Sequence, residues 1–559
     1  MPRLASPIGK LKSHYEVLVI GSGYGGGIAA SRLARAGKQV CLIERGREIQ
    51  PGEYPRTELE LLGEVQMDAP IQHFGSPTGL FDIRFNEDIN AVVGCGLGGT
   101  SLINAGIALR PDPRSFADQR WPREIRSAPL DPWFARAEAM LRPAVYPDAF
   151  PPLHKTAALA QSAAHLSLPC TPVPLLISFD APAGGVNHAG ASQAACVGCG
   201  DCVSGCNYAA KNTVLMNYLP DAVNHGAEIY AGLRARSIKR ADDSWQVVAE
   251  RVDDSDTEAQ VVLHADLVIL AAGTLGSTEI LLRSRENGLA LSSILGSRFS
   301  GNGDTLGFAY NADLAINGIG MGAHSTGEIE MVGPCSTAMI DGRDTGDPAV
   351  GVIIEDGAIP GAMATLLPAI LAAGAKLTGI DTDAGLRDRI EELARVLKSK
   401  LLGAYSGATR NSLFLLVVGH DDAAGQIVLE DDRARIHWPG VGQQAHFERA
   451  SELLRHATAA LGGTYIPNPV WNELTNHNLV TGHLLGGCPM GEDGNAGVVN
   501  HKGQVFTGTG ATIHPGLYVM DGAVIPRSLG ANPLLTISAL AERSCEYLAR
   551  DYGWTIRYA

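Results

Sequence analysis

Four cysteines crowd into eleven residues of this 559-residue chain, as Cys196, Cys199, Cys202 and Cys206 in ACVGCGDCVSGCNY (195–208). Thiols at such spacing bind soft metals. Zinc sites use two separated C-x2-C knuckles, and this run has no room for two. Disulfides between such near neighbours are geometrically awkward, and a reducing compartment would not keep them. The spacing C-x2-C-x2-C-x3-C is that of the bacterial ferredoxin run, which points to an iron–sulfur cluster, with reduced structural thiols as the alternative. Two features depart from the ferredoxin pattern: Asn207 replaces the usual following proline, and no second run is present. Either Cys206 folds back to complete one 4Fe-4S cube, or three of the four cysteines hold a 3Fe-4S cluster.

A second chemistry lies near the N-terminus, in HYEVLVIGSGYGGGIAASRLARAGKQVCLIERG (14–46). Gly21, Gly23 and Gly26 form G-x-G-x-x-G between an apolar run and a helical pattern. The first glycine permits a tight turn, the second lets a pyrophosphate approach the backbone, and the third lets helix and strand pack closely. The N-terminus of the following helix favours phosphate charge. Glu44 stands at the end of the next apolar run, where its carboxylate can take a ribose diol. That acid suits FAD or NAD and disfavours a 2′-phosphate.

These residues need a sheet to hold them. Val17–Ile20 and Val40–Ile43 read as short buried parallel strands. In 264–284 a third apolar run, Leu267–Leu270, is followed by a small-residue turn containing Gly273 and then a helix. In 516–548 a strand ends at Asp521 and leads through a turn into an amphipathic helix. A nucleotide domain assembled from such distant segments favours FAD, because a simple NAD dehydrogenase usually keeps its cofactor domain contiguous.

Composition narrows the class. The chain is 45% hydrophobic and 18% charged, as a globular protein is, with a formal charge of −15. That charge argues against a nucleic-acid partner. No apolar segment precedes the first strand, so no secretory signal is expected and a cytoplasmic location is. The uncharged stretch 357–375 is interrupted by Pro360 and Pro368 and reads as a lid, loop or short helix rather than a transmembrane segment. The six remaining cysteines are scattered and do not form a secreted disulfide framework.

Four segments resemble the glucose–methanol–choline (GMC) oxidoreductases, FAD enzymes that oxidise alcohols, and most of all their cholesterol oxidase branch. They are the N-terminal fingerprint, NAVVGCGLGGTSLINAGIALRPDPRSF (90–116), HLLGGCPMG (483–491) and MDGAVIPRSLGANPLLTISALAE (520–542). The resemblance implies an α/β (α+β) architecture: a discontinuous Rossmann-like FAD-binding domain and a second, substrate-binding domain on an antiparallel or mixed sheet. We expect the FAD-binding domain to comprise 13–115, 208–310 and 478–559. A cap with the cysteine segment would span 116–207, and the substrate-binding domain 311–477.

The same resemblance implies site residues. Backbone amides around Gly98 and Gly99 would line the flavin, with Asn104 near its edge and Gly273 and Asp521 contributing to the cofactor site. FAD is expected to be non-covalent. His483 matches the family's base, and histidine suits that task because its pKa lies near working pH. Asn532 matches an asparagine of the cholesterol oxidase branch that orients the substrate oxygen. The glutamate that this branch uses for double-bond isomerisation aligns with Ala408, and the nearest acid in a comparable segment is Glu355. Some GMC dehydrogenases of bacterial sugars carry an iron–sulfur cluster on a short cysteine group. The expected activity is oxidation of the CH–OH group of a hydrophobic, sterol-like or long-chain alcohol, with hydride transfer to flavin N5 and electrons leaving through a cluster to an external acceptor protein. A flavin-dependent lyase or decarboxylase, and an oxygen-using oxidase without a cluster, are the alternatives.

Overall fold

Apolar runs with no polar alternation have no face to offer water, so they belong inside a sheet covered on both sides. In the computed structural model, which describes residues 2–252, 260–383 and 385–558, that is where they lie. The strand His14–Ile20 pairs in parallel with Gln260–Leu270 on one side and Val40–Glu44 on the other, with Val17 opposite both Leu267 and Val40. Glu228–Ala231 and Ile513–Val519 extend this parallel core outward. The antiparallel strands Leu233–Ala241 and Ser244–Arg251 branch from Gln260–Leu270. The strands of this nucleotide-type sheet thus come from three widely separated parts of the chain.

The helix Tyr24–Arg35 presents a Gly- and Ala-rich face, which lets it approach Leu534–Asp551 and Tyr218–Asn224 closely. Gly37, at a φ of 77°, ends the turn back to the next strand. A buried ion pair locks two of these helices together. Arg32 donates to both oxygens of Glu542 at 2.6–3.0 Å, and Tyr218 Oη donates to the same carboxylate at 2.8 Å.

A second sheet is antiparallel throughout, in the order Ile380–Asp381, Thr464–Pro467, Thr305–Tyr310, Leu413–Val418, Val352–Gly357, Ala338–Gly342 and Cys170–Pro172. Side chains alternate across its strands. Leu413, Leu415 and Val417 pack against the helices His154–Leu166 and Ala445–Ala459. Phe414, Leu416, Glu355 and Gly357 face a large cavity instead. Thr305–Tyr310, grouped with the nucleotide segments on sequence, pairs within this second sheet. The hairpin Gln426–Glu430/Arg433–His437 lies within 311–477, yet its Ile427, Ala434 and Ile436 join the hydrophobic core of the nucleotide-type sheet.

A five-stranded sheet brings two motif segments together. Leu479–Thr481, just before His483, runs parallel to Ile89–Gly94, just before Gly98 and Gly99. Within 357–375 the chain forms a 3-10 turn and then the helix Leu367–Thr378, anchored by buried Leu367 and Leu371. Among the described residues no helix is long and apolar enough to cross a membrane.

Removing one partner of a buried ion pair leaves an uncompensated charge. Glu542→Leu is therefore expected to lower unfolding free energy by about 3–5 kcal/mol in chemical denaturation, and the double variant Arg32→Met/Glu542→Leu to recover most of that loss.

Candidate active site

The nucleotide fingerprint folds as strand, turn and helix: His14–Ile20, Gly21–Gly23 and Tyr24–Arg35. Gly21 has a φ of 95°, and a Cβ there would lie 2.4 Å from the Ala271 carbonyl oxygen. A Cβ on Gly26 would lie 1.9 Å from the Gly21 carbonyl oxygen. Gly23 differs, because a Cβ there would meet nothing within 4 Å. Its open side faces a cavity of about 1210 Å³ that runs from the fingerprint to the second sheet. Pockets for one drug-sized ligand measure roughly 300–1,000 Å³, so this one has room for a dinucleotide and a substrate together.

Glu44 lines the cavity and is oriented by its own loop. It accepts from Ser22 N at 3.0 Å, Ser22 Oγ at 2.6 Å and Gly46 N at 2.8 Å. Gly98 N donates to Ser22 Oγ at 2.9 Å, which ties the 90–106 segment to the fingerprint, and Gly99 lies against Gly23. Asp521 accepts from Gly273 N at 2.9 Å, Ser277 Oγ at 2.5 Å and Ala523 N at 2.9 Å. Burial outweighs those hydrogen bonds and raises its carboxyl to about 6. Asn104 Nδ2 donates to Tyr24 Oη at 2.9 Å.

At the other end of the cavity, His483 Nδ1 donates to Asp304 Oδ1 at 2.8 Å. A carboxylate can only accept, so this bond fixes the tautomer and leaves Nε2 as the ring's basic position. Asp304 is itself held by Thr481 Oγ1 at 2.9 Å and Gly482 N at 3.2 Å. Burial pulls the His483 pKa down, but the charge and hydrogen bond of Asp304, with the charge of Glu355, more than offset this and leave it raised. Glu355 is buried, and Asn532 Nδ2 donates to its Oε2 at 3.4 Å. Burial raises the Glu355 carboxyl to about 7, against the opposing pull of His483 and Asn532.

Three buried acceptors, Asn104 Oδ1, Asn532 Oδ1 and Glu355 Oε1, have no hydrogen-bond partner among the described residues. All three side chains line the same cavity. Buried polar atoms rarely stay unpaired, so the cavity is built to receive a ligand bearing donors at this end. The open Gly23 cradle and the acid at the ribose position fit FAD at the other.

Residues 196–208 fold as a loop against the cavity wall. Each gap between successive cysteines holds one glycine in the left-handed region, Gly198, Gly200 and Gly205, with φ of 69°, 81° and 105°. The chain thereby wraps, and all four cysteines line one small second cavity. All four are free thiols. Burial raises Cys196 to about 12 and Cys199 well above the usual thiol range. Asn207, out of place for a ferredoxin, clamps the adjoining loop. It accepts from Gly52 N at 2.9 Å and Tyr54 N at 3.0 Å, and donates to Tyr54 O at 3.1 Å.

The structure therefore gathers Gly21, Gly23, Glu44, Gly99, Asn104, Gly273, Asp521, His483 and Asn532 around one cavity, whereas Gly26 and Gly98 do not line it. Ala408, the aligned position of the isomerisation glutamate, is buried in the helix Gly407–Arg410 and does not line it; Glu355, hydrogen-bonded to Asn532, does. Sequence reading missed Asp304 altogether. It precedes a strand of the second sheet and carries no local motif.

This fold and cavity define a flavin-type dinucleotide-binding oxidoreductase with a separate substrate sheet. The sequence model of the N-terminal part of GMC oxidoreductase matches residues 16–289, and that of the C-terminal part residues 429–541. The chain belongs to the GMC oxidoreductase family, and it is an FAD-dependent enzyme acting on alcohols. It is 28% identical to a cholesterol oxidase of Mycobacterium tuberculosis over 96% of this chain and 91% of that one. It is 26% identical to a cholesterol oxidase of Acinetobacter baumannii over 96% of this chain and 94% of that one. Among solved structures, a pyridoxine 4-oxidase from Mesorbium loti superposes with a TM-score of 0.59 at 16% identity, covering 96% of this chain and 99% of that one.

Because a side chain on Gly23 would enter only the cavity, Gly23→Val should fold with unchanged thermal stability yet purify without the yellow flavin absorbance. A variant as yellow as the parent would remove Gly23 from the cofactor site.

Proposed function

We propose that the protein oxidises a hydrophobic, sterol-like or long-chain secondary or primary alcohol to the carbonyl compound, with His483 as general base. The observation that carries this reading is the His483–Asp304 pair facing two unpaired acceptors, Asn532 Oδ1 and Glu355 Oε1, at one end of a cavity whose other end is a nucleotide cradle. FAD, held non-covalently along Gly21–Gly26, Glu44, Gly98 and Gly99, Gly273 and Asp521, supplies a two-electron hydride acceptor at its N5. His483 takes the hydroxyl proton on Nε2 while Asp304 stabilises the imidazolium that forms. Asn532 Nδ2, 3.4 Å from Glu355 Oε2 in a long hydrogen bond, is the donor that orients the substrate oxygen. Phe414 and Leu416 offer the apolar wall that a hydrophobic alcohol needs. Cys196, Cys199, Cys202 and Cys206 would be the residues to hold an iron–sulfur cluster, which would supply one-electron transfer to an external acceptor, and the ten free thiols suit a reducing, cytoplasmic setting.

Glu355 favours a second step on sterols. A buried carboxyl with a pKa near 7 can take a proton from one carbon of a β,γ-unsaturated ketone and return it to another, moving the double bond into conjugation. Similarity to cholesterol oxidases supports a sterol as its substrate. With a 3-hydroxy-5-ene sterol, Glu355→Gln is expected to stop formation of the conjugated enone, followed by its ultraviolet absorption, while consumption of the alcohol continues.

The base must be unprotonated to work. Anaerobic flavin bleaching by alcohol should therefore rise with pH and level off above the His483 pKa. His483→Gln should slow bleaching by about 10²–10⁴-fold. Asp304→Asn removes the charge that raises the histidine pKa, so the rising limb should move to lower pH. An unchanged rate in His483→Gln would end this reading.

A further inference from the structure

We propose that the helix Leu386–Leu402, together with its neighbour Leu367–Thr378, docks the protein on the surface of an anionic lipid bilayer. The docking stands on the surface alone; the delivery of a bilayer-dissolved substrate rests on the alcohol-oxidising reading above.

The helix Leu386–Leu402 is amphipathic, and it turns its polar side to the protein. Arg395 Nε donates to Asn311 Oδ1 at 2.8 Å, and its Nη2 to the Asn311 carbonyl at 3.0 Å. Ser399 is buried, and its Oγ donates to the Ser406 carbonyl at 2.6 Å. Asp388 reaches toward Asp313 and Asp383, with carboxylate oxygens of the three within 4.8 Å of one another. The apolar side is turned outward. Ile390, Leu393, Leu397 and Leu401 are each 58–73% exposed. They recur at i, i+3, i+7 and i+11, which is one stripe of a helix, and a surface helix ordinarily buries that stripe against its own core.

The patch continues onto the helix before it, which touches Leu386–Leu402. Leu367–Thr378 buries Leu367 and Leu371, yet Leu366, Ile370 and Leu377 around them are exposed. It is apolar on both sides, with Lys376 as its one charged residue. A contiguous apolar surface spread over two elements marks an interaction site. Both helices lie outside the stretches 16–289 and 429–541 that carry the family match.

Charge selects the occupant. Among the described residues of Leu386–Leu402, the exposed acid is Glu391, whereas Arg389, Lys398 and Lys400 are exposed bases. This basic excess stands in a chain of net charge −15. At about 100° per residue, Arg389 and Lys400 fall on one flank of the leucine stripe and Lys398 on the other. An apolar stripe bordered on both sides by long bases is the pattern of a helix lying in a membrane interface, where the bases reach the lipid phosphates. A two-fold pair of copies would set this face against itself and bring like charges together. Lipid phosphates meet both the stripe and its borders.

The docking face backs onto the substrate end of the cavity. Leu367 packs in one apolar cluster with Phe308 and Phe414, and Phe414 lines the large cavity. The outer side of this layer would meet the bilayer, and its inner side forms the wall of the site. A hydrophobic alcohol is thereby collected where it is dissolved.

The test uses the full-length, FAD-loaded protein in flotation with vesicles of phosphatidylcholine alone and of phosphatidylcholine mixed with phosphatidylglycerol. The parent is expected to float with the mixed vesicles, and less so as salt rises. Leu393→Asp/Leu397→Asp should weaken flotation at least tenfold, with flavin content and thermal midpoint unchanged. Lys398→Glu/Lys400→Glu should weaken it about tenfold on the mixed vesicles and leave phosphatidylcholine binding as it was. A parent that floats with neither vesicle, or a leucine variant that floats as the parent does, would overturn the proposal. So would a non-floating parent whose dimer, seen by light scattering, the leucine variant converts to monomer; that result assigns the face to a second copy. Flotation needs no substrate. Failed flavin bleaching by alcohols would sink the alcohol reading and leave the docking face standing, and failed flotation would do the reverse.

Discussion

The hydrogen bond between Asp304 and His483 joins two parts of the molecule that share little else in sequence. The carboxylate belongs to the turn leading into the second sheet, and the imidazole to the loop after Leu479–Thr481. Taking a carboxylate out of water is costly unless its oxygens are hydrogen-bonded, and Thr481 and Gly482 meet that need with the histidine. The same three bonds that make Asp304 tolerable inside the protein also fix which way the imidazole faces. Had the aspartate been solvated, the ring would be free to rotate and its tautomer would be unspecified.

Sheet alternation does the rest of the positioning. Strands Val352–Gly357 and Leu413–Val418 send one set of side chains into a packed helical layer and the other into the cavity. Glu355 lies opposite Leu416 in the pairing, so a carboxyl is delivered to an apolar wall where few partners exist for it. That placement raises its pKa and leaves one oxygen unpaired. A register slip of one residue would turn Glu355 into the helical layer and bring Ile354 or Asp356 to its place.

The cysteine loop shows the same economy by other means. It has almost no regular structure, yet hydrogen bonds tie it to the loops around it. Asp201 accepts from Gly361 N at 2.7 Å and Gly322 N at 2.9 Å, and Lys211 reaches the flavin-side carbonyls. Left-handed glycines let eleven residues turn three times within a small volume. Val203, within the run, and Cys335 both line the large cavity.

Much of this was legible in residue order. The fingerprint turn, its acid and its helix are contiguous, and their geometry follows from glycine's backbone freedom and from apolar runs that must be buried. The cysteine spacing and the two histidine- and asparagine-bearing motifs are likewise local. What residue order left open was decided by pairing between strands distant in the chain. Asp304 carries no motif, and Glu355 was eclipsed by an alignment that landed on Ala408. Hydrogen-bond register across an antiparallel sheet sets which side chain meets which, and it depends on the whole sheet assembling, so no single segment could announce it.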